Sequence, residues 1–240
     1  IETFGTVDGP GIRYIIFFQG CPLRCKYCHN RDTWKTNCGK EYTVDELAQD
    51  IMKYQTYMQF SGGGVTASGG EATLQAEFVT ELFAKCKELG IHTCLDTAGV
   101  VDIEKVDKLL DYTDLVLLDI KHIDNEKCKQ LTGVGNEKAL KLAKHLDERN
   151  IPVWIRQVLV PGITDDQKDL EKLGQFVSTL NNIDRVEFLP YHGMGIHKWE
   201  NMGFEYELKD VQEPTPEEIK RASDIVESFG VEVHNNKAAK

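Results

Sequence analysis

Arg13-Tyr-Ile-Ile-Phe-Phe18-Gln-Gly-Cys21-Pro-Leu-Arg-Cys25-Lys-Tyr-Cys28 is the stretch from which the rest of the chain can be read. After Arg13 its first residues are β-branched or aromatic, a composition that favours a strand. The strand runs without a linker into three cysteines spaced C-x3-C-x2-C. Thiolates suit soft metals: zinc, copper(I) and iron–sulfur clusters. Structural zinc normally takes four protein ligands, and an electron-transfer four-iron cluster takes four cysteines. Three clustered thiolates therefore leave one position to be filled. At this level two completions stand side by side: zinc finished by Cys38 or His29, or an iron–sulfur cluster with one iron left for a ligand from outside the chain.

Outward from this stretch, strand and helix alternate. Thr43-Val-Asp-Glu46 has the form of a capping box and opens a helix expected to run through about Tyr57. Val65–Ser68 reads as a short strand ending in Gly69-Gly70. Ala76–Leu89 reads as a helix stopped by Gly90. Further strands are expected at His92–Leu95, Leu115–Ile120, Pro152–Val160 and Arg185–Leu189. Further helices are expected at Ile103–Leu110, Asn136–Arg149, Gln167–Leu180 and Pro216–Phe229. This alternation argues for an α/β fold with a parallel sheet wound by right-handed crossovers. Five or six such units fit an incomplete (β/α)6 TIM-like barrel, one domain over residues 1–240. Functional residues in such barrels lie at the carboxyl ends of strands. That rule collects Gly69-Gly70-Glu71, Asp96-Thr97, Asp119 to Lys121, Arg156 and Tyr191-His192 around one mouth, on the side where the cysteine loop leaves its strand.

Composition narrows the class. A chain of 240 residues, 41% of them hydrophobic, is long enough for a sizeable core. Its 39 acids against 28 bases give a net charge of −11, which disfavours a nucleic-acid partner. No apolar run approaches the roughly 20 residues of a membrane span. Tyr14 to Phe18 is too short for a signal peptide, so no membrane partner is expected and the cytoplasm is the default location. The chain opens at Ile1 rather than methionine, and a few residues are expected to precede it. Seven cysteines are too few, and odd in number, for a disulfide scaffold. Three sit within eight positions while Cys38, Cys86, Cys94 and Cys128 are scattered, a distribution that points to a local metal site in a reducing compartment.

Gly20 before the first cysteine and Tyr27 before the third belong to the signature of radical S-adenosylmethionine (SAM) enzymes, and they favour the cluster over zinc. Other matching stretches are Gly5-Thr-Val-Asp-Gly-Pro-Gly11, Cys28-His-Asn-Arg-Asp-Thr-Trp34, Val65-Thr-Ala-Ser-Gly-Gly-Glu-Ala72 and His92-Thr-Cys-Leu-Asp-Thr97. Leu118-Asp-Ile-Lys121, Val153-Trp-Ile-Arg156 and Leu189-Pro-Tyr-His192 complete the series, in order, through nearly the whole chain. On these residues the chain resembles the radical SAM glycyl-radical activases, most closely the branch that acts on pyruvate formate-lyase. Ala72, where the wider superfamily often has proline, matches that branch.

The resemblance implies a [4Fe-4S] cluster on Cys21, Cys25 and Cys28, with SAM chelating the open iron through its methionyl amino and carboxylate groups. One-electron cleavage of SAM would release a 5′-deoxyadenosyl radical that takes hydrogen from one glycine of pyruvate formate-lyase. It also implies that Tyr27 and His29 meet the adenine side of SAM, and that the Gly69-Gly70-Glu71 element holds the methionyl amino group. Asp119, Ile120 and Lys121 would line the pocket, Lys121 facing the carboxylate, and His192 would close the ribose side. Asp96, Thr97, the Leu117 carbonyl and Asp119 match a monovalent-cation site (Na+ or K+). Asp8 becomes a contact for the target peptide, Arg156 an anion partner at the mouth in the same substrate-peptide role, and flavodoxin or ferredoxin the reductant.

Without the resemblance, the same residues have plainer readings. Asp96 and Asp119 equally fit caps of the following helices, Lys121 a solvated lysine, and His192 a turn residue. His145, His197 and His234 are expected at the surface, Cys86 and Cys94 as small core residues. Gly62-Gly-Gly64-Val-Thr-Ala67 formally fits a dinucleotide fingerprint but precedes a strand instead of following one. Gly64-x4-Gly69 lacks the Lys-Ser/Thr of a phosphate loop. The rival functions are an activase of another glycyl-radical enzyme, a small-molecule radical SAM enzyme, and a non-catalytic metal or electron-transfer module. Against the first, Asn30–Thr43 holds only Cys38 and so lacks a ferredoxin-like insertion.

Overall fold

The computed structural model describes residues 1–235; the last five of the expected domain span lie outside the described residues. Strands β1 (Glu2–Gly5), β2 (Arg13–Phe18), β3 (Gly64–Gly69), β4 (His92–Thr97), β5 (Leu115–Asp119), β6 (Val153–Leu159), β7 (Ile183–Pro190) and β8 (Val233–His234) follow chain order across one sheet. Between them run α1 (Val44–Met52), α2 (Gln55–Ser61), α3 (Ala76–Glu88), α4 (Ile103–Leu110), α5 (Asn125–Thr132), α6 (Glu137–Glu148), α7 (Gln167–Val177), α8 (Ile196–Asn201) and α9 (Pro216–Glu227). From β2 to β7 every strand is followed by helix, the six β/α steps expected. β1 pairs antiparallel with β2, while β2–β3, β3–β4, β6–β7 and β7–β8 pair parallel, so the sheet is mixed. The chain forms two compact units: Ile1–Cys21 with Thr33–Leu117, and Pro22–Asp32 with the residues from Leu118 onward.

In the first unit β2, β3 and β4 are buried along most of their length, as parallel strands covered by crossover helices are. Tyr14 and Ile15 of β2, Val65 and Ala67 of β3, and Cys94 and Leu95 of β4 are fully buried. α3 adds Val79, Leu82, Phe83 and Cys86, so Cys86 and Cys94 are core residues as expected. Burying one large aliphatic side chain of this kind is worth roughly 1.5–3 kcal/mol. The glycines dismissed as a nucleotide loop have a packing reason. A Cβ on Gly63 would lie 1.9 Å from the Ile12 carbonyl oxygen, and one on Gly64 2.1 Å from that of His92.

The single helix expected from Thr43 to about Tyr57 is in fact two. Its capping box is present: the Thr43 hydroxyl accepts from Glu46 N at 3.2 Å and the Glu46 carboxylate accepts from Thr43 N at 2.8 Å. The chain then turns at Lys53-Tyr54, which seats the Tyr54 ring 5.6 Å from Tyr14 and 5.8 Å from Phe4. That tertiary contact overrides local propensity.

In the second unit β6 and β7 pair in one register from Trp154 onward, with Arg156 opposite Glu187, over a core that includes Val153, Ile155, Leu159, Val186 and Phe188. α5 was not foreseen. It is short and polar, and it is fixed by its ends: the Asp124 carboxylate accepts from Glu126 N and Lys127 N, and Gly133 stops it in the left-handed region. β1, α8 and β8 were also unforeseen, each being brief.

Candidate active site

The cysteine loop starts where β2 stops. Gly20 has φ +98°, a conformation that favours glycine. Its N–H donates to the Thr33 carbonyl at 2.7 Å, its carbonyl accepts from Glu71 N at 2.8 Å, and Cys21 N donates to the Trp34 carbonyl at 3.3 Å. In the second unit the loop lies against the end of α5. Arg24 N donates to Thr132 O at 2.6 Å and Lys26 N to Leu131 O at 3.1 Å, satisfying carbonyls that a helix end leaves without partners. Cys28 N closes a turn onto Cys25 O at 3.1 Å. Cys25 is buried, Cys21 and Cys28 half-buried, and none of the seven cysteines is in a disulfide. Among the described residues no group of three His, Cys, Asp or Glu side chains is gathered as ligands of one metal ion. The donor set itself, three thiols in eight residues, has the ligand chemistry of an iron–sulfur cluster, in which each thiolate binds its own iron.

A second group of predicted residues meets in the same unit as Cys25 and Cys28. Lys121 Nζ donates to Asp119 Oδ2 at 2.6 Å, both side chains being 16% exposed, and lies 5.9 Å from the centroid of the Tyr27 ring. Burial alone would depress the ammonium, but the Asp119 carboxylate outweighs it and holds Lys121 well above the ordinary lysine range. Burial pushes the Tyr27 phenol well up, so it stays protonated. His29 Nε2–H donates to the His192 carbonyl at 2.9 Å, and the two rings lie 4.1 Å apart. Burial lowers the pKa of His29 and favours the neutral ring. Tyr27 Oη, Asp119 Oδ1 and His192 Nδ1 are buried with no hydrogen-bond partner among the described residues. Orphaned atoms on residues that sequence reading had assigned to SAM fit side chains that face a polar ligand. Ile120 is fully buried, its N–H held by the Arg156 carbonyl at 2.9 Å. Two residues on, His122 locks the turn: its Nδ1 accepts from Asp124 N at 3.0 Å, and its carbonyl accepts from Asn136 Nδ2 at 3.0 Å.

The first unit gathers a third group at the ends of β3 and β4. Glu71 is 1% exposed and its carboxylate accepts four hydrogen bonds. Thr73 Oγ1 and Thr97 Oγ1 donate to Oε1 at 2.6 Å each, Thr73 N at 3.2 Å, and Ala98 N donates to Oε2 at 2.9 Å. The side chain is thus committed to the protein, and what the element can offer a ligand is its backbone. Its glycines are needed for backbone contact within the protein. A Cβ on Gly69 would meet Phe18 N at 2.4 Å, and one on Gly70 would meet Gly20 O at 2.3 Å. The plain reading of Asp96 and Asp119 as helix caps is corrected. The N-cap position of α4 is Asp102 and that of α5 is Asp124, whereas Asp96 accepts from the Ser68 hydroxyl at 2.5 Å. Of the residues expected around a monovalent cation, Asp96, Thr97 and buried Leu117 fall in the first unit and Asp119 in the second.

Asp8 sits in the Gly5–Gly11 loop, where its carbonyl accepts from Thr66 Oγ1 at 2.7 Å. Arg156 is 6% exposed, with its Nε 3.8 Å from Glu187 Oε2; Glu187 was not singled out in the sequence. His197 is exposed, while His145 and His234 are half-buried. Cys128 is buried in α5, and Cys38 is exposed. A shallow cleft lined by Glu171, Lys220, Arg221 and Phe229 includes none of the predicted site residues.

The sequence model of the Radical SAM superfamily matches residues 15–174, and so takes in all three cysteines of the loop. The pyruvate formate-lyase 1-activating enzyme of Escherichia coli (strain K12) is 52% identical over 234 residues, 97% of this chain and 95% of that protein. The chain is a radical SAM enzyme of the pyruvate formate-lyase-activating family. The activating enzyme of Staphylococcus epidermidis is 53% identical over 229 residues, covering 92% of this chain and 91% of that protein. Among solved structures, a domain of the pyruvate-formate lyase-activating enzyme from Bacteroides vulgatus superposes with a TM-score of 0.62 at 27% identity. It covers 72% of this chain and 99% of that one. Streptococcus suis SuiB bound to S-adenosylmethionine gives a TM-score of 0.71 at 18% identity, over 95% of this chain and 51% of that one, a likeness of radical SAM fold alone.

Proposed function

We propose that this chain activates pyruvate formate-lyase by placing a radical on one of its glycines. The observation that carries the reading is near-full-length identity with activating enzymes, the three cysteines lying inside the matched radical SAM segment. When bound, a [4Fe-4S] cluster and SAM supply one-electron cleavage of the sulfonium and the 5′-deoxyadenosyl radical that abstracts hydrogen from the glycine. Cys21, Cys25 and Cys28 would hold the cluster. Lys121, kept charged by Asp119, supplies a cation for the methionyl carboxylate. The backbone of Gly69 and Gly70, rather than the Glu71 carboxylate, serves the methionyl amino group. Buried Ile120 excludes water beside the pocket, while Tyr27, His29 and His192 contribute the adenine and ribose sides.

The same reading assigns a monovalent cation to Asp96, Thr97, the Leu117 carbonyl and Asp119, and target-peptide contacts to Asp8 and Arg156. It names flavodoxin or ferredoxin as reductant, the cytoplasm as the location, and one core domain over residues 1–240 as the carrier. The test is anaerobic reconstitution with iron and sulfide, followed by mixing with SAM, reductant and pyruvate formate-lyase. A glycyl signal by electron paramagnetic resonance is expected. SAM cleavage with pyruvate formate-lyase untouched and another glycyl-radical enzyme activated would overturn the target, and a colourless protein with one zinc would overturn the chemistry.

A further inference from the structure

Arg13 is fully buried at the first position of β2. Its guanidinium donates from Nε to Thr66 Oγ1 at 2.9 Å, from Nη1 to His92 Nδ1 at 3.2 Å, and from Nη2 to the Val65 carbonyl. A longer contact of 3.5 Å reaches the Pro10 carbonyl. Thr66, also fully buried, donates a hydrogen bond from its hydroxyl to the Asp8 carbonyl at 2.7 Å. The result is a directional chain, guanidinium N–H to hydroxyl to carbonyl, in which each bond polarises the next. It ends on the backbone of the Gly5–Gly11 loop. That loop has little room to shift: Gly9 (φ +118°) would bring a Cβ within 3.4 Å of Arg13 Nε, and Gly11 (φ +66°) within 2.5 Å of Gly63 N.

We propose that Arg13 and Thr66 are positioning residues for the Gly5–Gly11 loop and, through it, for recognition of the target's glycine-loop peptide at Asp8. This rests on the assignment of Asp8 made under the proposed function. A buried cation that grips one loop through a neutral hydroxyl is stiff, because releasing the loop would strand the Thr66 O–H and the Asp8 carbonyl together. The role is separable from SAM chemistry, since none of these bonds involves the cysteine loop, Lys121 or the carboxyl ends of β3 and β4.

The test uses reconstituted enzyme with SAM and a synthetic peptide spanning the glycine loop of pyruvate formate-lyase. Thr66→Val removes the hydroxyl and should raise KM for the peptide about tenfold, the scale of one stranded hydrogen bond. kcat, cluster absorbance and peptide-independent SAM cleavage should stay at the wild-type level, and amide exchange at Asp8 and Gly9 should quicken. Thr66→Ser, which keeps the hydroxyl, should behave as wild type. If Thr66→Val does not fold, Gly9→Ala, which strains the loop at φ +118° and sets its Cβ 3.4 Å from Arg13 Nε, should raise the same KM. An unchanged peptide KM in Thr66→Val, with a raised one in Asp8→Ala, overturns the relay and leaves Asp8 standing. A raised KM in Thr66→Val with Asp8→Ala silent keeps the relay and removes the Asp8 side chain from recognition. Both silent overturns both. Parallel loss of SAM cleavage in Thr66→Val shows general destabilisation and also overturns the relay.

Discussion

The indole Nε1–H of Trp199 donates to the backbone carbonyl of Cys28 at 2.8 Å. Arg31 lies over both the Trp199 ring (5.2 Å) and the Phe204 ring (4.0 Å), so the segment after β7 grips the far end of the cysteine loop. Trp199→Phe keeps an aromatic ring but removes the donor together with the five-membered half of the indole. The variant should fold, losing about 1 kcal/mol, and its reconstituted cluster should bleach faster in the presence of an iron chelator. Bleaching at the wild-type rate would show that this hydrogen bond does not steady the loop.

Glu71 joins the ends of β3 and β4 through four accepted hydrogen bonds inside the protein. Glu71→Ala strands those donors and should cost about 3 kcal/mol or more in urea unfolding of the cluster-free chain. A variant as stable as wild type, yet defective for SAM, would instead place the carboxylate on the ligand.

Lys121 and Asp119 form a largely buried pair at 2.6 Å. Lys121→Met removes the cation and leaves the carboxylate alone. SAM affinity should fall at least about tenfold, as expected for loss of a charge-assisted hydrogen bond. Cluster content should not change. Calorimetric titration of the reconstituted protein with SAM reads the first, and iron analysis the second.

His92 and His122 have pKa values below the ordinary 6.5, burial being the main cause in each. His92 Nδ1 accepts from Arg13, and His122 Nδ1 from Asp124 N, roles open only to an unprotonated nitrogen. As pH falls through about 6.5 the unfolded chain takes up protons that the folded chain refuses, so stability declines toward the folded values. The urea midpoint of the cluster-free protein should therefore be lower at about pH 5.5 than at about pH 7.5. A level midpoint across that interval would contradict the buried neutral state of both rings. Asp114 and Asp169, whose values are lowered from 3.8 despite burial, add to the same trend only in stronger acid.

The cysteine spacing, the strand before it and the β/α rhythm were legible because each is local: a residue run, a period, a cap. Tyr27, His29, Asp119, Lys121 and His192 were assigned to SAM through resemblance. The structure adds what that assignment left out, a Lys121–Asp119 pair and a His29–His192 bond. Glu71 shows the limit. Its identity was readable, but its commitment to Thr73, Thr97 and Ala98 depends on strand ends more than twenty residues apart. α5 escaped because its cohesion comes from end caps and a few buried residues rather than an apolar stripe. Arg13 carried no signal, since an arginine opening a strand ordinarily faces water.

The bonds from Arg24 and Lys26 to the last carbonyls of α5 make that helix a structural partner of the metal-binding loop. A loop excised with its cysteine spacing intact would lose half of what shapes its main chain. Transplanting it into another scaffold would call for a helix terminus placed to receive the same two amides. Inserting or deleting a residue near Leu131 and Thr132 would shift the thiols without altering a single cysteine.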